Sequence, residues 1–318
     1  MALNKQQQEI LDELGRVTNA FDKSINRLMP DIKREVYEMI ISKIEKFKLS
    51  NKGENFSVSK QVDNLKLLQE IKQGMKQIYE DSGYNALIKD FNKSYRKTVP
   101  IIDKYFNTLV KEYKGNKELY DSLRKLAIDK SNEQLLRGGL DANITKQVEE
   151  ILSQNITSGG RLVDTRRQLR DFIVGNKDEI GQYERYVKQI TNDSVQQYNQ
   201  QYINTVSDDL NLEWYYYKGT TIKDTRYFCC LRENNYYRRK DVISWADLEW
   251  AGKNKNTTKS NIVVMRGGYN CRHIMIPVNA SVVPDRFKES KEPVYDSGCE
   301  GRKKKIRING RKQWEKAK

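Results

Sequence analysis

The sequence predicts a mainly α-helical chain with a small α+β module towards its C-terminal end and a basic tail. Three observations predict it. Up to about residue 207, apolar residues recur at steps of three and four, the period of a helix with one buried face. At Asp208 the texture changes, and Leu212-Glu-Trp-Tyr-Tyr-Tyr-Lys218 is aromatic and alternating, as strands are. From Arg302 to Lys318, nine Lys or Arg stand against one Glu, a polyelectrolyte tail.

Taken in order, the first helix is expected over 4–29, with Ile10, Leu14, Val17, Phe21, Ile25 and Leu28 on one face. Met29-Pro30 should end it, because proline lacks the amide donor and disfavours helix in the residue before it. A second helix follows over 31–48 and a third over 60–80, which Asp81-Ser-Gly83 closes. Residues 84–97 form another, and Val99-Pro100 opens a new one. Helices are also expected over 119–136, within 140–160, over 161–174, and over 178–207, a long polar one rich in tyrosine and glutamine. Beyond the strand at 212–218, a short helix is expected over 242–250 with Ser244 as a cap. Ile262–Met265 and Ile274–Ile276 read as short buried strands. The expected divisions are a helical region 1–139, a helical lead-in 140–207, the module 208–280, and a linker with tail 281–318.

Composition narrows the function classes. The chain has 318 residues, 37% hydrophobic and 32% charged, so it is polar without being disordered by composition. Its formal net charge of +15 favours polyanionic partners, either nucleic acid or an acidic protein surface. No run approaches the length of a membrane span, and the N-terminal residues are polar rather than a secretory leader, so no membrane is expected. Four cysteines in this length do not make a disulfide framework, and a reducing cytoplasm is the expected setting.

Three of the four cysteines and the only histidine fall within 221–278. This stretch opens with Asp224-Thr-Arg226-Tyr-Phe-Cys229-Cys230 and closes with Arg266-Gly-Gly-Tyr-Asn-Cys271-Arg272-His273. The structural cluster read from it is Asp224, Arg226, Cys229, Cys271, Arg272 and His273. Asp and Arg form bidentate charge-assisted pairs that lock loop ends. Gly267-Gly268 permits a tight turn that brings Cys271 beside the first motif. For the cysteines two readings stay open. Cys229 and Cys271 are small buried apolar groups, an oxidisable pair at most, and no cofactor is bound. Alternatively, zinc sits on Cys229, Cys271 and His273, although no Cys-x-x-Cys spacing supports it and adjacent Cys229 and Cys230 diverge in an extended chain. A Cys/His nucleophile is not expected, since neighbours on one strand are not how such sites are assembled. In the tail, Arg302, Lys303, Lys304, Lys305, Arg307, Arg311 and Lys312 are candidate contacts to nucleic acid or to a protein ring.

The order of these motifs resembles the C-terminal module of tailed-bacteriophage minor head proteins, the Mu F-like head morphogenesis family. The matching residues run from Trp214, Tyr216, Gly219 and Thr220, through Asp224, Arg226, Phe228, Cys229 and Trp245, to Gly267, Gly268, Asn270, Cys271, Arg272, His273 and Pro277. The resemblance spans about 140–280. Many members of that family have a histidine where this chain has Gly268, and a cysteine where it has His273. The resemblance implies a non-enzymatic minor capsid protein of the virion, at the portal vertex or capsid interior, made in the host cytoplasm. Its implied partners are the portal protein, other capsid proteins and packaged double-stranded DNA. Two alternatives stand beside it: a packaged effector or enzyme carrying such a module, and a non-specific DNA-binding virion protein.

Overall fold

The computed structural model describes residues 3–50, 53–219 and 225–293, together with the backbone of 306–308 and 311–313. The chain is mainly helical with one small antiparallel sheet, the fold class that the sequence predicts. It divides into two compact units, one of residues 18–95 and 125–192, the other of 1–17, 96–124 and 193–318.

The first helices are longer than the sequence predicts. Helix α1 runs Lys5–Ile44 and α3 runs Tyr84–Leu109, with Pro30 inside the one and Pro100 inside the other. Proline in a helix interior costs about 3 kcal/mol. In α1 the apolar stripe carries straight past it, since Ile25, Met29, Ile32, Val36, Ile40 and Ile44 are all buried while Pro30 itself is exposed. Burying one such side chain is worth about 1.5–3 kcal/mol, so the stripe outweighs one missing hydrogen bond. The buried row also differs by one position from the predicted one, because Met29 is buried where Leu28 lies at the surface.

Among its described residues, the unit of 18–95 and 125–192 is helical apart from isolated β-bridges such as Leu49 with Phe56. Besides parts of α1 and α3 it holds α2 (Gln61–Asp81), most of α4 (Lys117–Leu136), the turn α5 (Gly138–Leu140), α6 (Lys146–Ser158), α7 (Leu162–Ile173) and the start of α8 (Gln182–Asp209). Leu68, Ile71, Met75 and Ile78 of α2 and Val148, Leu152 and Ile156 of α6 are buried at helical spacing. Tyr79, Tyr84 and Tyr183 form a triangle of rings with centroids 5.6–5.9 Å apart. Burial raises the pKa of all three phenols, so they serve as packing rings rather than acids. Glu184 is buried between Lys33 and Lys188, each 2.5 Å from one of its oxygens.

The other unit contains the sheet, in the order β2-β1-β3, all antiparallel. Strand β1 is Trp214–Lys218, β2 is Tyr236–Arg238 and β3 is Ile274–Val278. Alternation along β1 sends Tyr215 and Tyr217 into a core with Tyr237, Met275, Phe228 and Trp245. Trp214 and Tyr216 pack on the opposite side with Tyr236, Val278 and Phe287. Edge strand β3 does not lie bare. The Gln200 amide of α8 donates to Met275 O at 2.8 Å and accepts from Met275 N at 2.9 Å. Tyr105 of α3 donates to Pro277 O at 2.9 Å. These side chains satisfy backbone groups that a further strand would otherwise take.

Three local expectations are overturned. Ile262–Met265 is a helical turn, α11, not a strand: Ile262, Val263 and Val264 are buried in succession, whereas a strand would turn every second one outward. The predicted helix at 242–250 is α10 (Arg239–Ser244) followed by a 3-10 turn at Trp245–Asp247. Ser244 lies at its C-terminal end, and the Asp241 carboxylate instead accepts from Arg238 N at its start. Tyr227–Cys230 is a helical turn, α9, so Cys229 and Cys230 are not on an extended chain. Past the short α12 (Asp285–Lys288), β4 (Ile306–Ile308) pairs with β5 (Arg311–Gln313).

Candidate functional site

Within the sheet-containing unit, the two sequence motifs close on each other. Arg266, Gly268 and Asn270 have φ of 46°, 91° and 55°, so the predicted turn is a run of left-handed residues. Trp250 Nε1 donates to Gly267 O at 3.0 Å while its ring stacks on Phe228, 4.0 Å between centroids. Arg226 Nη2 donates to Tyr269 O at 2.5 Å, which ties the first motif to the second. Asn270 N donates to the Asp193 carboxylate at 2.6 Å. Burial drives the pKa of that carboxyl up to about 6, against the opposing pull of the Asn270 amide and Arg266.

This turn sets Cys271 Sγ 4.0 Å from Cys229 Sγ and 4.0 Å from His273 Nδ1. The Tyr217 hydroxyl lies 3.4 Å from Cys229 Sγ and 3.8 Å from Cys271 Sγ. Two glycines make room. A Cβ on Gly267 would come within 2.3 Å of Cys229 Sγ, and one on Gly219 within 2.1 Å of the His273 ring. The imidazole also stacks on Tyr217, with centroids 5.1 Å apart and 20° between planes. Its Nε2 faces away from the sulfurs, 3.9 Å from Glu233 Oε2 and without a hydrogen bond.

The cluster is buried: Cys229, Cys271 and His273 are 2%, 3% and 4% exposed, so no substrate reaches the sulfurs in this conformation. The neighbouring Cys229 sulfur, with His273 and Arg266, holds the Cys271 thiol well below the usual range. Burial alone would lower the His273 pKa, but Cys271 and Glu233 outweigh it and lift it to about 9. Cys230 is buried too but is engaged in a disulfide outside the cluster, which departs from the expectation of reduced cysteines throughout.

Of the residues singled out from sequence, Arg226, Cys229, Cys271 and His273 meet in this core. Arg272 does not: its side chain is exposed on the strand approach, and the buried arginine of the second motif is Arg266, which donates to Gln196 O at 3.2 Å. Asp224 lies outside the described residues, as do Arg302, Lys303, Lys304 and Lys305. Arg307, Arg311 and Lys312 are described only as backbone, in the β4–β5 pair. Sequence reasoning missed the roles of Tyr217, Glu233 and Arg232. Arg232 Nη1 donates to Phe228 O at 2.9 Å, with its guanidinium over the Phe228 and Trp245 rings. The signal was present for Tyr217, whose place in β1 follows from the alternation of that run.

Fold and site together define a helical protein with a small sheet module closed by a thiol–imidazole cluster. No protein-family model matches the chain, and no curated protein and no solved structure matches it either. Among the described residues, no helix is long and apolar enough to cross a membrane.

Proposed function

We propose that the chain is a structural protein of a tailed-phage virion, a minor head protein at the portal vertex or capsid interior that assists head assembly and genome packaging or delivery. The observation that carries this reading is the closure of the two motifs, Arg226 with Cys229 and Arg266 to His273, into one buried core. These are the motifs on which the resemblance to Mu F-like head proteins rests. In such a module they act as a clasp rather than as reactive groups, consistent with a non-enzymatic role. The net charge of +15 suits an acidic protein ring or packaged double-stranded DNA as partner. The basic stretch 302–318 would add a salt-sensitive contact to that surface, beside the one that the folded module makes.

The test is co-sedimentation with the portal ring of the same phage, at low and high salt, with and without residues 300–318. Binding that survives both high salt and loss of the tail is the expected result. Binding lost under either condition would replace the portal reading with polyelectrolyte attraction to DNA.

A further inference from the structure

We infer that Cys229, Cys271 and His273 form a structural zinc site whose fourth position is at the Tyr217 hydroxyl. The inference is independent of the virion reading. It rests on three donor atoms that three separate pieces of chain bring within 4.8 Å of one another, Cys229 from α9, Cys271 from the glycine turn and His273 from the approach to β3, with the Tyr217 hydroxyl of β1 beside the two sulfurs.

Four of the separations lie close to those of a tetrahedron. With Zn–S of about 2.3 Å and Zn–N or Zn–O of about 2.0–2.1 Å, tetrahedral angles place two sulfurs about 3.8 Å apart and a sulfur about 3.6 Å from a nitrogen or oxygen. The two sulfurs stand 4.0 Å apart, Cys271 Sγ and His273 Nδ1 4.0 Å, and the Tyr217 oxygen 3.4 and 3.8 Å from the sulfurs. The two thiols and the imidazole nitrogen all lie within 4.8 Å of one another. Closing them on an ion therefore takes movements on the order of 1 Å. Two thiolates and an imidazole are the donor set that zinc prefers over the hard cations magnesium and calcium.

The surroundings agree. Nδ1 faces the sulfurs, which leaves Nε2 to carry the proton and face Glu233 Oε2, 3.9 Å away. A carboxylate hydrogen-bonded to the far nitrogen of a ligating histidine fixes its tautomer and orientation, and Glu233 stands about 1 Å short of that contact. Gly267 leaves the space beside both sulfurs free of any side chain. The burial of all three ligands describes a closed site, which holds a fold together, rather than an open one that presents a metal-bound water to a substrate. Binding displaces the thiol protons of the cysteine pair and the proton on His273 Nδ1, and all of these leave to solvent, so metal binding should weaken as the pH falls.

The test uses the full chain, purified under reducing conditions and freed of metal by a chelator, then titrated with Co2+ and with Zn2+. The expected result is one metal per chain, with the thiolate-to-cobalt charge-transfer band and the strong visible bands of tetrahedral Co2+. Zinc should displace the cobalt. Cys271→Ala should weaken binding at least tenfold. His273→Gln keeps both sulfurs and most of the ring's volume, and should do the same if the cysteine variant fails to fold. Reduced wild-type protein that gives no charge-transfer band at stoichiometric cobalt would overturn the inference. So would zinc bound equally by wild type and both variants, or a Cys229–Cys271 disulfide trapped by acid quenching in protein taken directly from cells.

Discussion

The two compact units reach stability by different means. In the helical unit, side chains that meet are ones that a single stripe already groups: Ile32, Val36, Ile40 and Ile44 of α1 are buried as one row. In the sheet unit, polar side chains make the joins: the Gln200 amide on Met275, Arg226 on Tyr269 O, Tyr105 on Pro277 O. A stripe tolerates exchange of one apolar residue for another of similar size. A polar join does not, because losing one partner strands the other in a dry interior. The helical unit should therefore be sensitive to lost volume, and the sheet unit to lost hydrogen bonds.

The largest effect that tests this contrast is Phe91→Ala. Phe91 is fully buried in α3, with its ring 5.3 Å from that of Tyr95. Truncation leaves a cavity, and the expected loss is about 3–5 kcal/mol. Phe91→Leu should recover more than half of it. Urea unfolding of the three proteins checks both statements, and equal losses for Ala and Leu would contradict a volume-governed core.

Next is Gln200→Ala. It leaves both the amide and the carbonyl of Met275 without the partner that now meets them, at about 1–3 kcal/mol each. Gln200→Met, close in size but unable to hydrogen bond, should be no better, which is the reverse of the expectation for Phe91→Leu. Hydrogen exchange at the Met275 amide gives a local readout and should quicken in both variants. An unchanged rate in the methionine variant would mean that packing, not the amide clamp, protects this edge.

Which parts could be read in advance follows from the same contrast. The apolar rows of α2 and α6 and the alternation of β1 are local patterns, visible without knowing what they face. The meeting of Cys229 and Cys271 was also legible, because Gly267 and Gly268 announce a turn that folds one motif onto the other. Gln200 and Glu233 carried no such signal. A glutamine in a polar helix looks solvated until β3 is laid against it, and Glu233 matters only because His273 presents Nε2 to it. The prolines misled for a related reason: a local rule about one donor was outweighed by a row of contacts along the whole of α1.

Pro30→Ala turns that last point into a measurement. If α1 continues past Pro30 only because its stripe is buried, the missing donor is a standing cost, and restoring it should stabilise the chain by about 1–3 kcal/mol. Pro30 is exposed, so the change opens no cavity. A rise in the urea midpoint is the expected outcome. A fall would mean that the rigidity proline lends to the unfolded chain outweighs the restored hydrogen bond.

The smallest effect concerns a charged join of the helical unit, which also carries neutral ones such as Tyr84 on Leu135 O. Burial alone would raise the Glu184 pKa, but hydrogen bonds from Lys188 and Lys33 outweigh it, and the carboxyl titrates below its ordinary value of 4.5. A carboxyl whose folded pKa is lowered contributes stability that is present above its unfolded pKa. That contribution is lost as pH falls through the folded value. The Lys188 side chain is 31% exposed and can turn to water, so the term is on the order of 1 kcal/mol. Urea midpoints for wild type and Glu184→Gln should differ at pH 7 and converge as the pH drops below 4.5. If the two curves stay parallel down to pH 3, the lysines contribute by packing rather than by charge, and the helical unit is governed by volume even there.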